Sequence, residues 1–223
     1  MKPEQIIFIR HGEKTEMKDG KMVVEPIHLS TQGKQRAQGY IEYFEQNHAS
    51  SVHVPDLIYA MKQKNRSSSD RCHETVLPLA TRFKLPITMK YTRDEIKKVV
   101  KDINKSGKDK IVLVCWEHDA LVDIAKGFGA PVKVWGLHPM CEEQKDNYNA
   151  MWVLTRDGQN TTFEVFATFD IDEHGQPCYN HITNSPLLAR SLPRGNSTAR
   201  WSSILRKLLW PWNCNSVKNA RGR

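Results

Sequence analysis

The sequence predicts an α/β fold: a three-layer α/β/α sandwich around a mostly parallel sheet that ends in an edge hairpin. Three observations carry this. The runs Gln5–Ile9 and Ile111–Trp116 are short and continuously apolar, the composition of strands covered on both faces. Amphipathic segments of helical period alternate with such runs along the chain. Two further apolar segments, Ala150–Leu154 and Phe163–Phe169, flank the turn pair Asp157-Gly158. A chain of 223 residues accommodates one such domain with an appendage. The catalytic-type domain is placed at residues 1–183, with a basic linker and tail at 184–223.

Each element follows in order. Gln5–Ile9 is a buried strand, and Arg10-His11-Gly12-Glu13 comes directly after it. The polar stretch Lys14–Pro26 is a loop with Asp19-Gly20 as a turn. Ser30 or Thr31 caps a helix that runs to about Asn47, with Ala37, Tyr40, Ile41 and Phe44 inward. Asp56–Ala60 is a second strand, and Lys62–Ser69 is a polar, basic loop. A helix over 70–83 follows, kinked or shortened by Pro78. Pro86–Met89 is a brief strand. Thr92–Lys105 is an amphipathic helix ended by Gly107. After the strand Ile111–Trp116 come Glu117-His118-Asp119 and a helix from about Leu121 to Phe128.

His11 and His118 each stand at the end of a strongly apolar strand. In open α/β sheets ligands bind beyond the carboxyl ends of strands, so the two histidines should converge on one crevice. Arg71, behind Ser67-Ser68-Ser69 at a helix N-terminus, is the third member, with Arg66 as a competing choice. This set suits a phosphoryl group. Arg10 and Arg71 offer planar donor forks to its oxygens. Protonated His118 adds a donor, and His11 can attack phosphorus through a neutral ring nitrogen. The leaving alkoxide needs a proton, and Asp119, Glu95, Glu117 and Glu13 are the acids at hand.

Arg10-His11-Gly12-Glu13 after an apolar strand resembles the signature of the histidine phosphatase, or phosphoglycerate mutase-like, superfamily. Leu29-Ser30, Gly33, Arg36 and Ala37 resemble that family's stretch leading into its first helix. Arg71 with Glu74 and Thr75 resembles the element bearing its second phosphate-binding arginine. Leu113–His118 resembles the strand that carries its second histidine. The resemblance covers about residues 5–170. It implies that His11 is the phosphohistidine nucleophile, that Arg10, Arg71 and His118 form the phosphate pocket, and that neither metal nor cofactor takes part. The His118-Asp119 pair is similar to the phytase and acid-phosphatase branch, in which the aspartate is the proton donor. Glu95 lies in the region from which the mutase branch draws its acid.

The insertions that build a phosphoglycerate site are missing between Arg71 and His118, which favours a phosphatase with an open pocket. The expected activity is therefore phosphomonoester hydrolysis, on a phosphorylated small molecule or a phosphoprotein. A mutase-type phosphotransferase and a weakly catalytic scaffold that binds phosphorylated ligands or membrane are the alternatives.

The net charge of +8 is unevenly spread. Eight basic residues and no acid lie between Pro186 and Arg223, which leaves the first 185 residues near neutral. In the tail, Trp201, Ile204, Leu205, Leu208 and Leu209 fall on one helical face before Pro211, with Arg206 and Lys207 opposite. The region 199–212 could dock on the domain or lie on an anionic membrane, and Cys214 could be acylated. No motif points to nucleic acid. Five cysteines without a CxxC pair indicate neither a disulfide framework nor a zinc ribbon. No signal peptide is visible, so a cytoplasmic protein is expected, peripheral to the membrane if the tail lies on one. His28 and His138-Pro139 are read as structural or rim residues.

Overall fold

The computed structural model describes residues 2–24, 26–130, 148–179 and 188–191. The tail 199–212, His138-Pro139 and Cys214 lie outside the described residues. Met1–Leu192 form one compact unit.

The main sheet has seven strands, in the order Leu188–Ser191, Asn160–Ala167, Ala150–Asp157, Gln5–Arg10, Ile111–Trp116, Leu57–Ala60, Ile87–Thr88. They are β1 (Gln5–Arg10), β4 (Leu57–Ala60), β5 (Ile87–Thr88), β6 (Ile111–Trp116), β7 (Ala150–Asp157), β8 (Asn160–Ala167) and β11 (Leu188–Ser191). β1, β6, β4 and β5 run parallel, and β7, β8 and β11 are antiparallel neighbours. All six residues of β1 are buried, as its apolar run requires. Its polar residues are Arg10 at the end and Gln5 at the start, and Gln5 is well bonded. Its amide donates to the Ser51 carbonyl at 2.8 Å and to Thr155 Oγ1 at 3.0 Å, and it accepts from His53 N at 3.0 Å.

Four helices complete the domain: α1 (Thr31–Glu45), α2 (Arg71–Phe83), α3 (Ile96–Ser106) and α4 (His118–Gly127). Right-handed crossovers fix their sides. The steps β1-α1-β4 and β4-α2-β5 move away from β1 in one direction, so α1 and α2 share a face. The step β5-α3-β6 returns, and α4 leaves β6 in the same sense, so α3 and α4 share the other face. The packing agrees: α1 lies against α2, and α3 against α4. Neighbouring β1 and β6 therefore send their chains to opposite faces, which opens a crevice at their carboxyl ends. Arg10 pairs with Trp116 and Ala60 with Cys115, so three strands end side by side at that crevice.

Several elements depart from the sequence expectation. Thr15–Lys18 and Lys21–Val24 form a hairpin, β2-β3, where a loop was expected. Asp19 and Gly20, at φ 52° and 72°, make its turn. Strands of four residues are too short for alternation to register. α3 starts at Ile96 rather than Thr92, because the Glu95 carboxylate accepts from Thr92 N and Oγ1 and holds Thr92–Glu95 as a turn. α4 starts at His118 rather than Leu121, with Glu117 as its cap residue. α2 keeps its expected extent to Phe83 and is not shortened by Pro78. Leu188–Ser191 is a strand paired with β8, inside the stretch read as linker. Asp170–Ile171 (β9) and Pro177–Cys178 (β10) add a small two-stranded sheet.

Candidate active site

The first helix is set hard against the Arg10–Glu13 segment. Ser30 caps α1, accepting from Gly33 N at 3.2 Å, and its backbone N–H donates to the Glu13 carbonyl at 2.9 Å. Gly12 and Gly33 face each other across this contact. A Cβ on Gly33 would stand 2.3 Å from the Glu13 carbonyl oxygen, and one on Gly12 would stand 2.9 Å from the Gly33 oxygen. Only glycine at both positions lets the backbones approach so closely.

Thr75 ties this loop to α2. Its Oγ1 accepts from Gly12 N at 2.8 Å and donates to the Arg71 carbonyl at 2.7 Å. Arg71 is thereby held beside the turn that carries His11, and its Nη1 donates to the Pro26 carbonyl at 2.9 Å. Glu74 secures the same edge by accepting from Leu29 N at 2.7 Å and pairing with His28 at 2.6 Å.

His11 and Arg10 are both buried. His11 Nδ1 lies 2.7 Å from its neighbour's carbonyl, Gly12 O. A carbonyl oxygen only accepts, so Nδ1 carries the proton and Nε2 keeps the lone pair. Burial, with lesser pushes from the Arg10, Arg71 and His118 charges, takes the His11 pKa down to about 3. The ring is therefore neutral at physiological pH, with a bare nitrogen at Nε2. His118, the first residue of α4, is half-buried. Its pKa is lowered by burial and then by Arg10, against opposing pulls from Asp119 and Glu117. It is mainly neutral before substrate binds, whereas the sequence picture used it protonated. Its buried Nδ1 has no hydrogen-bond partner among the described residues.

The four acids differ sharply. Glu13 is buried and accepts three bonds from Arg36, of 2.7 to 3.0 Å, while Arg36 also donates to the Phe169 carbonyl at 2.6 Å. Glu95 accepts from Lys98 and Thr92, which hold its pKa near the bottom of the scale, at about 2. Glu117 and Asp119 flank His118, with Asp119 Oδ1 3.3 Å from His118 Nε2 and Glu117 Oε1 3.7 Å from Nδ1. Arg93 binds both acids, Asp119 at 3.3 Å and Glu117 through its Nε. Glu117, His118 and Asp119 each offer an atom within 4.8 Å of the others, the spacing of a cation site, but Arg93 competes for both carboxylates.

Of the residues expected from the sequence, His11, Arg10, Arg71, His118 and Asp119 come together, Glu95 is tied up in the Thr92–Glu95 turn, and two neighbours of the site, Arg93 and Tyr148, were not expected. Arg93 could be found only by knowing that the start of α3 lies beside the end of β6. Tyr148 carries no motif. Its ring lies under Arg10, 4.1 Å from the guanidinium carbon, and 6.1 Å from the His11 ring.

No family model and no curated protein matches this chain. Among solved structures it is similar to the candidate phosphohistidine phosphatase SixA from Agrobacterium tumefaciens, at 13% identity and a TM-score of 0.43, covering 69% of this chain and 92% of that one. Phosphoserine phosphatase from Entamoeba histolytica, in complex with 3-phosphoglyceric acid, is similar at 13% identity and a TM-score of 0.41, covering 79% and 94%. A candidate alpha-ribazole-5′-phosphate phosphatase from Escherichia coli is similar at 12% and 0.42, covering 80% and 95%.

Proposed function

We propose that this chain is a phosphomonoester hydrolase of the histidine phosphatase superfamily that works without metal through a phosphohistidine on His11. The observation that carries the reading is the state of His11. It is neutral, buried and fixed by Gly12 O so that Nε2 holds the lone pair. That state leaves a bare Nε2 near Arg10 and Arg71, as attack on a phosphoryl group requires.

Nε2 of His11 attacks phosphorus opposite the leaving oxygen. Arg10 and Arg71 bind the equatorial oxygens with charge-assisted hydrogen bonds, and His118 adds one N–H. Asp119, exposed at the mouth and adjoining His118, gives the leaving alkoxide its proton. Glu13 and Glu95 serve less well, since each accepts several bonds of 2.7 to 3.2 Å, whereas Arg93 reaches Asp119 at 3.3 Å from an exposed side chain. Water then attacks the phosphoryl group on His11, with Asp119 taking the proton back.

The test is hydrolysis of p-nitrophenyl phosphate in the presence of EDTA by the intact chain and by His11→Ala. Turnover that survives in His11→Ala removes the mechanism. The donor is tested by leaving group. Asp119→Asn should slow alkyl phosphates far more than p-nitrophenyl phosphate, whose phenolate departs without help. If Glu95→Gln gives that pattern and Asp119→Asn does not, the donor is Glu95.

A further inference from the structure

A pocket that takes a phosphate dianion is weakened by any carboxylate left uncompensated beside its donors. Here there are two, on either side of His118. Glu117 Oε1 lies 3.7 Å from His118 Nδ1, and Asp119 Oδ1 lies 3.3 Å from His118 Nε2. Glu117 reaches further into the site. Burial lowers the Arg71 pKa, and Glu117 is one of the groups near enough to pull it back. The Glu117 charge is therefore felt at two of the phosphate donors, one from α4 and one from α2. Asp119 is the proton donor of the proposed reaction and enters that step uncharged. Glu117 has no such part, and its charge would meet every incoming phosphate.

Arg93 supplies the opposing charge. It sits in the turn Thr92–Glu95, which the Glu95 carboxylate closes by accepting from Thr92 N at 3.0 Å and Thr92 Oγ1 at 3.2 Å. Lys62 N donates to the Tyr91 carbonyl at 2.8 Å, so this turn is tied to the chain leaving β4. From there the guanidinium reaches the end of β6. Its Nε binds Glu117, its Nη2 lies 3.3 Å from Asp119 Oδ2, and its Nη1 lies 3.9 Å from the exposed Asp94. Glu117, His118 and Asp119 have the spacing of a cation site, and a tethered guanidinium is the cation that meets them. Arg93 is 49% exposed, and an ion pair of that exposure adds little to folding, because water screens it and two side chains lose freedom. What it alters is the charge that a dianion meets on entering beside it.

We propose that Arg93 is a positioning residue for phosphoryl binding: its guanidinium holds and neutralises Glu117 at the pocket edge, so that a phosphate dianion can settle against His118 and Arg71. The inference rests on the phosphatase reading and deepens it. Arg93 acts through Glu117 rather than on the reacting atoms. The strength of the phosphate site therefore follows the charge balance between these two side chains, and the positive charge at position 93 is needed only while position 117 is an acid.

The test uses the full chain and inorganic phosphate as the probe, its Kd read by titration calorimetry at low salt. Arg93→Met keeps an apolar stem and removes the charge. It should weaken phosphate binding about tenfold, as one unit charge near a dianion does in a partly screened site. At about 0.5 M salt that loss should shrink, because exposed charges are screened. Arg93→Lys keeps the charge and should retain most of the affinity. Arg93→Met combined with Glu117→Gln should return to within about threefold of the unsubstituted chain, since the acid that needed balancing is gone. Glu117→Gln alone should bind phosphate more tightly than the unsubstituted chain. Tm should change little across the set. In turnover of p-nitrophenyl phosphate the Arg93→Met loss should appear in KM before it appears in kcat. A residue that only braced its turn would give a loss that Glu117→Gln does not repair. That result, a loss indifferent to salt, weaker binding in Glu117→Gln alone, or no loss in Arg93→Met overturns the role of Arg93 and leaves the phosphatase reading standing. Failure of the unsubstituted chain to bind phosphate overturns both.

Discussion

The protonation state of His11 is open to a direct measurement. An ordinary histidine titrates at 6.5, so at pH 5 roughly 30 of its molecules are protonated for each neutral one. With its pKa pushed down to about 3, His11 at pH 5 should be the reverse, roughly 100 neutral for each protonated. The nucleophilic form would thus go from about 3% of the population to about 99%. Long-range proton–nitrogen NMR of the imidazole rings reports both quantities at once. His11 should keep neutral-ring shifts from pH 7 to pH 5, with the proton on Nδ1 and the lone pair on Nε2. The same shift sets a stability term, and its sign is fixed. The unfolded chain takes up a proton near 6.5 and the native chain resists it, so this term is absent above 6.5 and destabilises as pH falls towards 3. Between pH 7 and pH 5 the native state should lose about 2 kcal/mol from His11, a loss that His11→Asn would not show. A His11 midpoint above 5.5 in the unliganded protein, or a lone pair on Nδ1, refutes the reasoning.

Two further perturbations probe the frame around the site. Arg36→Met strands the Glu13 carboxylate, which is 7% exposed and loses three hydrogen bonds. The loss should be about 3–5 kcal/mol in urea unfolding, and Glu13→Leu in the same chain should recover part of it. Thr75→Val leaves the buried Gly12 N–H unsatisfied and unties Arg71. It should lower stability by about 1–3 kcal/mol and raise the Kd for inorganic phosphate, and an unchanged Kd would separate Thr75 from the pocket.

The fold was legible because the strands that build the site are the most apolar segments of the chain. Gln5–Ile9 and Ile111–Trp116 needed no tertiary information, and the residues that follow them inherit their placement from the sheet. Legibility failed where a property depends on which segments meet. Nothing local tells Glu13 from Asp119 as an acid. The difference is Arg36, one helix away, and Arg93, which reaches the end of β6 from the start of α3. Tyr148 was invisible for the same reason, since a lone aromatic ahead of a strand reads as core. The β2-β3 hairpin and β11 were missed because four-residue strands give too short a pattern.

The pairing of β1 sets the order in which this molecule can assemble. Its parallel partner begins at Ile111 and its antiparallel partner at Ala150, so both sides of the strand bearing His11 stay open until most of the chain has been made. Contacts of such long sequence separation form slowly, and a ribosome-bound chain halted before residue 150 carries a bare strand edge with four consecutive apolar residues, Ile6–Ile9. The strand that leads into His11 is therefore exposed to sticking to other chains during synthesis. Truncated products should collect in the insoluble fraction rather than accumulate as folded half-domains.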